Sequence, residues 1–282
     1  MLPKPSRDFR LSGFILDALY EDIGAGDVTT DTIVPRDAVG VARVTFKEDA
    51  VLSGMDVFFA VFLELDPAMR FISDWKDGDR VPKGTEVGRL EGRTRAILTG
   101  ERTALNIFQR MCGIATLTAS YVKEVSGLKV HIVDTRKTVP GLRALDKYAV
   151  SCGGGRNHRF GLFDGILIKD NHIRAAGSIR KAVESARQKA PHLLAVEVET
   201  TSLREVQEAL EAKAEVIMLD NMSVEEARAA VEKIGGRAKV EISGGISLGN
   251  VREYALAGPD FISVGALTHS APAVDISLNM KS

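Results

Sequence analysis

The chain has 282 residues, of which 45% are hydrophobic and 27% charged, and its formal net charge is -1. This composition is typical of a globular protein with one large or two moderate domains. Because positive and negative charges balance, we expect neither nucleic acid nor a membrane as a partner. The two cysteines, Cys112 and Cys152, have no metal-ligand spacing, and the N-terminus lacks the apolar core of a secretory signal. We therefore expect a cytoplasmic protein.

The first hundred residues predict a mixture of helices and short strands. Residues 9–22 and 57–65 have helical patterns, whereas residues 23–30 are loop-like, with Asp27 as a capping residue. Four β-rich runs lie between residues 39 and 92 and are separated by glycine- and proline-containing turns. This pattern predicts an α+β domain.

A longer helical zone follows over residues 97–125. Because Gly113 lies in the middle of this zone, we expect the helix to break near Met111-Cys112-Gly113. The expected boundary of the N-terminal α+β domain, residues 1–112, falls at this break.

From Lys129 onward, apolar strands alternate with amphipathic helices. Six runs predict strands: KVHIVD (129–134), DGILIKD (164–170), LLAVEVE (193–199), EVIMLD (215–220), AKVEIS (238–243) and DFISVGA (260–266). Helices are expected over 176–190, 202–213, 223–234 and 247–257, and two of them begin with capping boxes, Ser202 with Glu205 and Ser223 with Glu226. Apolar strands alternating with helices indicate a parallel sheet covered by helices.

The preferred fold class is α/β, with an open or incomplete TIM-like α/β barrel over residues 113–270. A doubly wound open sheet is the alternative, since six strands are fewer than the eight of a full barrel. The C-terminal tail, residues 271–282, is expected to pack on the N-terminal domain.

Positive charge is concentrated between Asp134 and His172. The basic residues of this segment are Arg136, Lys137, Arg143, Lys147, Arg156, His158, Arg159, Lys169 and His172. The segment also contains the run Gly153-Gly154-Gly155, where backbone can approach a ligand closely. Because the whole chain is nearly neutral, this local excess indicates a pocket for a multiply anionic small molecule.

The ends of the predicted strands supply the rest of such a pocket. The strand ends read Asp134-Thr135-Arg136-Lys137, Lys169-Asp170-Asn171, Glu197-x-Glu199, Asp220-Asn221, Ser243-Gly244-Gly245 and Val264-Gly265-Ala266. In parallel barrels the active site forms at these carboxyl ends. Glycine turns suit phosphate, acids suit ribose hydroxyls or Mg²⁺, and arginines suit carboxylates. The ligand so described is a phosphosugar with further negative charge, which favours phosphoribosyl transfer.

The chain resembles the quinolinate phosphoribosyltransferase family nearly from end to end. The resemblance is carried by EDIGAGDVTT (21–30), LTGERTALN (98–106), GIAT (113–116), DTRKTVPGLR (134–143), DKYAV (146–150), GGGRNHR (153–159), IKDNH (168–172), EVE (197–199), LDN (219–221), SGGI (243–246) and VGALTHS (264–270). The ordered set is far more specific than any one of these motifs.

The resemblance implies transfer of phosphoribose from phosphoribosyl pyrophosphate to quinolinate, with Mg²⁺ as cofactor and release of CO₂. It implies a homodimer in which Arg102 serves the neighbouring subunit's site. The remaining site residues that it implies are Arg136, His158 and Arg159 around the quinolinate carboxylates, Lys137 and Lys169 near phosphoribosyl pyrophosphate, and Glu199 and Asp220 near the ribose and metal. Ser243, Gly244, Gly245, Val264, Gly265 and Ala266 are implied around phosphate, with His269 close by, and Thr135 is a further substrate-binding residue. Lys137, Lys169, Glu199 and Asp220 are the candidate catalytic residues.

Three further residues have expected structural roles, and two alternative functions are compatible with the sequence. Glu197 is expected to be structural and paired with a lysine, His172 to orient a neighbouring group, and Cys112 to be a small buried residue. One alternative function is that of the phosphoribosyltransferase-like proteins associated with molybdate transport, which share the fold and part of the cationic motif. The other is a non-catalytic nucleotide sensor, because a fold alone does not determine function.

Overall fold

The computed structural model describes residues 9–281, which divide into two compact units. The first unit contains residues 9–119, Val139–Gly154 and the segment from Ser270 onward, and the second contains Ser120–Thr138 and Gly155–His269. The N-terminal segment on which the expected lack of a secretory signal rests lies mostly outside the described residues. Within residues 9–281, no helix is both long and apolar enough to cross a membrane.

The helices and strands follow one another along the chain in this order. They are α1 (Phe9–Ile23), α2 (Val28–Ile33), β1 (Val39–Phe46), β2 (Ala50–Val51), α3 (Met55–Leu65), β3 (Arg70–Ile72), β4 (Arg80–Val81), β5 (Glu86–Arg93), α4 (Thr94–Glu124), β6 (His131–Val133), α5 (Arg143–Cys152), β7 (Ile166–Ile168), α6 (Asp170–Ala176), α7 (Ile179–Lys189), β8 (Val196–Thr200), α8 (Leu203–Glu211), β9 (Val216–Asp220), α9 (Val224–Ile234), β10 (Lys239–Ser243), α10 (Val251–Leu256), β11 (Phe261–Ser263), α11 (Ala266–His269) and β12 (Ile276–Met280).

The first unit is built on an antiparallel sheet with the strand order β12-β1-β5-β3. The C-terminal strand β12 pairs with β1, and Ile276 lies opposite Phe46 in the register. Phe46, Phe58 and Phe108 are fully buried and in ring contact, with Phe58 and Phe108 centroids 5.0 Å apart. The predicted α+β unit is present, and its core contains this group of packed aromatic rings.

The predicted loop over residues 23–30 contains the start of a helix. Asp27 caps α2 by accepting a hydrogen bond from the Thr30 backbone N–H at 2.9 Å, as expected for a capping residue. Hydrogen bonds from Thr30 lower the pKa of Asp27. The loop prediction was wrong for the second half of the segment, where the Asp27 cap begins a helix of only six residues.

The predicted break in the long helix was also wrong, because α4 is continuous from Thr94 to Glu124. Gly113 serves close packing instead: a Cβ atom there would lie 2.0 Å from the carbonyl oxygen of Pro272. The glycine therefore allows the C-terminal segment of the first unit to lie against the helix backbone.

We expect Gly113→Ala to lower the free energy of unfolding by about 1–3 kcal/mol, because the new methyl group meets backbone that cannot move aside. Denaturant unfolding monitored by circular dichroism measures the change. Gly13→Ala is the matched control, since Gly13 lies in α1 and a Cβ atom there would meet no atom of residues 9–281 within 4 Å. That control should be neutral or stabilising by about 0.5–1 kcal/mol. Equal effects of the two substitutions would contradict the packing role.

The second unit contains a parallel sheet with the strand order β6-β11-β10-β9-β8-β7. From β7 to β11 each strand lies beside the next one in the sequence, and β11 then pairs with β6. This order is that of a barrel opened between β6 and β7. In a doubly wound sheet, successive strands would be added first on one side of the starting strand and then on the other. Within residues 9–281 those two strands are not paired with each other, and Arg156 forms a single parallel bridge with Val133 at the opening. The expected open TIM-like barrel is confirmed.

The helices of the second unit agree with the predicted pattern, with shorter bounds and two additions, the short helices α6 and α11. Helix α6 ends at Gly177, whose φ is +90°. Ser223 and Glu226 form the full capping box of α9. Ser202 accepts from the Glu205 N–H, but the Glu205 carboxylate accepts from the Thr201 N–H at 2.7 Å instead of closing the box.

The glycine run of the cationic segment has a packing role, and the segment is divided between the units. A Cβ atom on Gly153 would lie 2.4 Å from the carbonyl oxygen of Ala115 in α4, so this glycine permits close contact within the first unit. Arg143 and Lys147 belong to α5 of the same unit. The basic residues of the segment are therefore divided between two units, and those that line the cavity of the second unit are Arg136, Lys137, His158, Arg159 and Lys169.

Candidate active site

The carboxyl ends of the six parallel strands surround a cavity of about 730 Å³ in the second unit. Its lining includes Thr135, Arg136, Lys137, His158, Arg159, Lys169, Glu199, Asp220, Ser243, Gly244, Gly245, Val264, Gly265, Ala266 and His269. These are all of the predicted site residues except Arg102. The volume is that of a small-molecule site, and the lining combines cations, acids and glycines as the strand ends predicted.

Two arginines mark one part of the cavity. Arg159 is partly buried and donates a hydrogen bond from its guanidinium to the Gly165 carbonyl oxygen at 2.9 Å. Burial lowers the pKa of Arg159, and the nearby positive charge of Arg136 lowers it further. Two guanidinium groups that repel one another in this way favour an anion with two negative groups between them.

Lys169 and Glu199 form an ion pair on the neighbouring strands β7 and β8. The side chain of Lys169 is 44% exposed, whereas that of Glu199 is only 13% exposed. The His172 ring accepts a hydrogen bond from the Lys169 backbone N–H through Nδ1 at 2.9 Å. His172 therefore orders the backbone that carries Lys169, which agrees with its expected orienting role.

Lys137 lies beside the turn that follows β11. Its carbonyl oxygen accepts from the Thr268 hydroxyl at 2.8 Å, and its own N–H donates to the Thr135 hydroxyl at 3.0 Å. A Cβ atom on Gly265 would lie 3.0 Å from Lys137 Cδ and 3.2 Å from His269 Nε2. Gly265 thus lets the lysine and histidine side chains lie close to the turn.

The ends of β9 and β10 approach each other more closely than ordinary residues allow. Gly244 has φ +91°, and a Cβ atom there would lie 2.2 Å from Asn221 Oδ1. Asn221 itself has φ +54°, which is uncommon outside glycine and recurs at functional sites. Its side-chain amide donates to Asp220 Oδ2 at 2.7 Å, and its backbone N–H donates to the Ser243 carbonyl oxygen at 2.9 Å. These bonds hold Asp220 at the cavity beside the glycine turn.

Three titratable side chains, which we call the acid cluster, lie together at the cavity: His158 and Glu241, which line it, and Glu197 beside them. His158 Nε2 lies 3.0 Å from Glu197 Oε2 and 3.6 Å from Glu241 Oε2. Both glutamates are buried, and one oxygen of each has no hydrogen-bond partner within residues 9–281. Burial above all, and then the charge of Glu197, raise the pKa of Glu241 to about 7. The expected lysine partner of Glu197 is wrong, because its partner is His158.

Sequence reasoning missed Glu241, which also lines the cavity. A signal was available, because strand residues two apart point to the same face and Glu241 precedes Ser243 by two positions. An acid inside an otherwise apolar strand is costly to bury, so its presence there indicates a specific role. Ser263 was missed as well, whereas Asn221 was recognised only as part of a strand end.

Arg102 is an exposed residue of α4 in the first unit and is not among the residues that line this cavity.

Glu199 and Asp220 are the residues expected to hold a metal ion, and both line the cavity. Carboxylate oxygens together with the phosphate oxygens of a substrate are the donor set that Mg²⁺ prefers, so these residues fit the expected cation.

The fold and the cavity define an α/β-barrel protein with a cavity lined by cations, acids and glycines at the carboxyl ends of its strands. The chain belongs to the quinolinate phosphoribosyl transferase family, whose N-terminal domain model matches residues 27–112 and whose C-terminal domain model matches residues 114–279.

Similar proteins agree with this assignment. A probable carboxylating nicotinate-nucleotide pyrophosphorylase from Bacillus subtilis is 43% identical over 260 residues, covering 92% of this chain and 90% of the relative. The decarboxylating quinolinate phosphoribosyltransferase 1b of Nicotiana tabacum is 41% identical, covering 99% of this chain and 84% of its own. The solved nicotinate-nucleotide pyrophosphorylase from Francisella tularensis superposes with a TM-score of 0.92 at 42% identity, covering 96% of each chain.

Proposed function

We propose that this chain transfers phosphoribose from phosphoribosyl pyrophosphate to quinolinate and decarboxylates the product, giving nicotinate mononucleotide, pyrophosphate and CO₂. The observation that carries the proposal is one cavity with an arginine pair, Arg136 and Arg159, and a lysine–acid pair, Lys169 and Glu199. The arginines suit a dicarboxylate, and the remaining groups suit a phosphorylated sugar. The activity is the one named for its relatives and belongs to NAD biosynthesis.

The first task of the site is to position the two substrates. Arg136 and Arg159 hold the quinolinate carboxylates so that the ring nitrogen faces C1 of the ribose, while the glycine turns at Gly244 and Gly265 receive phosphate. Holding both reactants in line removes much of the entropic barrier of a bimolecular reaction.

The second task is to stabilise the charges that develop during transfer. As pyrophosphate leaves, C1 of the ribose becomes electron-poor, and the carboxylates of Glu199 and Asp220 stabilise that positive charge. Lys137 and Lys169 stabilise the departing negative charge. Alkylation of the ring nitrogen then makes the ring cationic, and the ring holds the electron pair left at C2 when the C2–carboxylate bond breaks and CO₂ departs. A proton taken up from solvent then binds C2 and completes the product.

Mg²⁺ is part of the proposal, with Glu199 and Asp220 as its protein ligands. When bound, the cation neutralises pyrophosphate charge and so assists the leaving group. Glu199 would hold the cation through a carboxylate that is ion-paired with Lys169 in this structure.

We expect activity to fall to background when Mg²⁺ is removed by EDTA and to return when excess Mg²⁺ is added. Pyrophosphate release from both substrates measures the effect. Addition of the EDTA–Mg²⁺ complex is the control for the chelator itself. A full rate in EDTA would contradict the metal requirement.

The activity itself is tested by incubating the protein with phosphoribosyl pyrophosphate and carboxyl-labelled quinolinate and measuring labelled CO₂. Nicotinate in place of quinolinate is the control, since it has a single carboxylate for the arginine pair. Turnover of nicotinate without turnover of quinolinate would contradict the proposal.

The assembly and location are proposed on other grounds. A homodimer is supported by the exposure of Arg102, because that arginine lies in a motif characteristic of the family and yet does not line its own chain's cavity. A cytoplasmic location is supported by two free thiols, Cys112 and Cys152, which are typical of reducing compartments.

A further inference from the structure

Within the part of the chain that the structure describes, the acid cluster contains two buried carboxyl groups, Glu197 and Glu241, to which the proposed function gives no role. Glu197 is 7% exposed and Glu241 is 3% exposed, and the donor atoms of the three members lie within 4.8 Å of one another. Two buried carboxylates so close together cannot both carry charge without a large free-energy cost. Either a cation or a proton must therefore compensate one of them.

The tautomer of His158 decides between these possibilities. His158 Nδ1 accepts a hydrogen bond from the Arg159 backbone N–H at 2.8 Å, so Nδ1 carries no proton. The proton of the neutral ring is then on Nε2, which donates to Glu197 Oε2 at 3.0 Å. A protonated Nε2 has no lone pair for a metal ion, so the arrangement favours a proton as the compensating group.

The Glu241 carboxyl group does not receive a comparable hydrogen bond from His158. Glu241 Oε2 lies at 3.6 Å from Nε2, beyond a good hydrogen bond, and Glu241 Oε1 is buried without a partner among the described residues. The other groups that act on Glu241 are Asp134 after β6, whose charge is also negative, and the hydroxyl of Ser263 on β11. Among these neighbours, only His158 and Ser263 favour a charged Glu241.

We propose that Glu241 is a positioning residue that holds a proton while quinolinate is bound, which leaves Glu197 as the single carboxylate paired with His158. This inference rests on the proposed function. His158 is hydrogen-bonded through its ring to the backbone of Arg159, and its backbone N–H donates to buried Asp134 at 2.9 Å. Neutral Glu241 thus preserves the segment that carries the quinolinate-binding arginine. It also keeps a second negative charge away from the site of a dianion.

The pH dependence follows from the direction of the shift. Burial raises the pKa of Glu241, so the residue is neutral below that pKa and becomes charged as the pH rises through it. The extra charge repels quinolinate and disturbs the His158–Glu197 pair. Quinolinate binding should therefore weaken on the alkaline side, by up to about tenfold per pH unit.

The test is the KM for quinolinate between pH 6 and 9, at saturating phosphoribosyl pyrophosphate, for the wild type and Glu241→Gln. Glutamine has the same shape and cannot ionise, so we expect the alkaline rise in the wild type and a flat profile in the variant. Glu197→Gln removes the neighbouring charge that raises the Glu241 pKa. In this variant the KM for quinolinate should therefore begin to rise at a lower pH than in the wild type. Glu232→Gln, on the exposed surface of α9, is the matched control and should follow the wild type.

Three results would overturn the inference. One is an alkaline rise that persists unchanged in Glu241→Gln, which would place the titration on another group. Another is a stoichiometric metal ion in the purified wild type that is lost in Glu241→Gln, which would make the cluster a metal site. The third comes from infrared difference spectra between these two proteins, if no band of a protonated carboxyl group is present at pH 6.

The infrared measurement needs no substrate and separates this inference from the proposed function. If the wild type did not turn over quinolinate at any pH, the proposed function would fail, and the positioning role would fail with it. A protonated Glu241 would then still be detected in the spectrum.

Discussion

Arg136→Ala is expected to lower kcat/KM for quinolinate by roughly 10²–10³-fold or more, because the site loses one of two cations that hold the dianion. Loss of the guanidinium leaves the substrate carboxylate desolvated in the cavity without a matching donor. The stability of the protein should change little, since Arg136 is exposed. Steady-state kinetics with quinolinate as the varied substrate, together with thermal unfolding, measure both effects.

Two further variants show whether the loss at Arg136 is specific. Arg136→Lys keeps the charge but not the two-pronged geometry, so we expect an intermediate loss. Arg204→Ala is the matched control, because Arg204 is 82% exposed and pairs weakly with Glu208 at 3.9 Å. Near-normal quinolinate turnover by Arg136→Ala would show that this arginine does not hold the substrate.

The regular elements of the chain could be predicted from local patterns. Each of the six parallel strands is a short apolar run, and both Ser202 and Ser223 begin helices as their spacing indicated. These features depend on residues close in sequence, where side-chain period and capping chemistry determine the backbone. The alternation of strands and helices indicated a parallel sheet but left a doubly wound order open, and the structure decides between the two.

The glycines show where local patterns are insufficient. Gly113 was interpreted as a helix break and Gly153 as part of a ligand-binding loop, but both permit close backbone contact with residues distant in sequence, Pro272 and Ala115. The sequence shows that a glycine has no side chain, but it does not show which neighbouring atoms occupy the space. Only the tertiary structure distinguishes flexibility from close packing.

The lining of the cavity could be predicted where its residues come at or beyond strand ends, whereas Glu241, inside a strand, was missed. Thr135, Lys169 and Asp220 come at or just beyond strand ends, where charged residues are conspicuous. Glu241 lies within β10, and the reason for its burial is a histidine from another segment, His158. Such pairing between distant segments leaves no spacing signal in a single sequence.

Mixing inactive Arg102→Ala with inactive Lys137→Ala is expected to restore about a quarter of the wild-type activity. In a dimer whose sites each use Arg102 of one chain and Lys137 of the other, a mixed dimer has one site with both defects and one site with neither. Random exchange of equal amounts gives mixed dimers as about half of the population, each with one working site. Activity measured before and after exchange tests this expectation.

The decisive control is a mixture of Lys137→Ala and Lys169→Ala. Both lysines line the cavity of a single chain, so every site of a mixed dimer keeps one defect, and no recovery is expected. Native mass spectrometry verifies exchange in both mixtures. If exchange is complete and the Arg102→Ala mixture remains inactive, Arg102 does not act across the dimer. Recovery in that mixture alone requires Arg102 and Lys137 to meet in a site formed by two chains, which explains why an exposed arginine of α4 belongs to the family's motif.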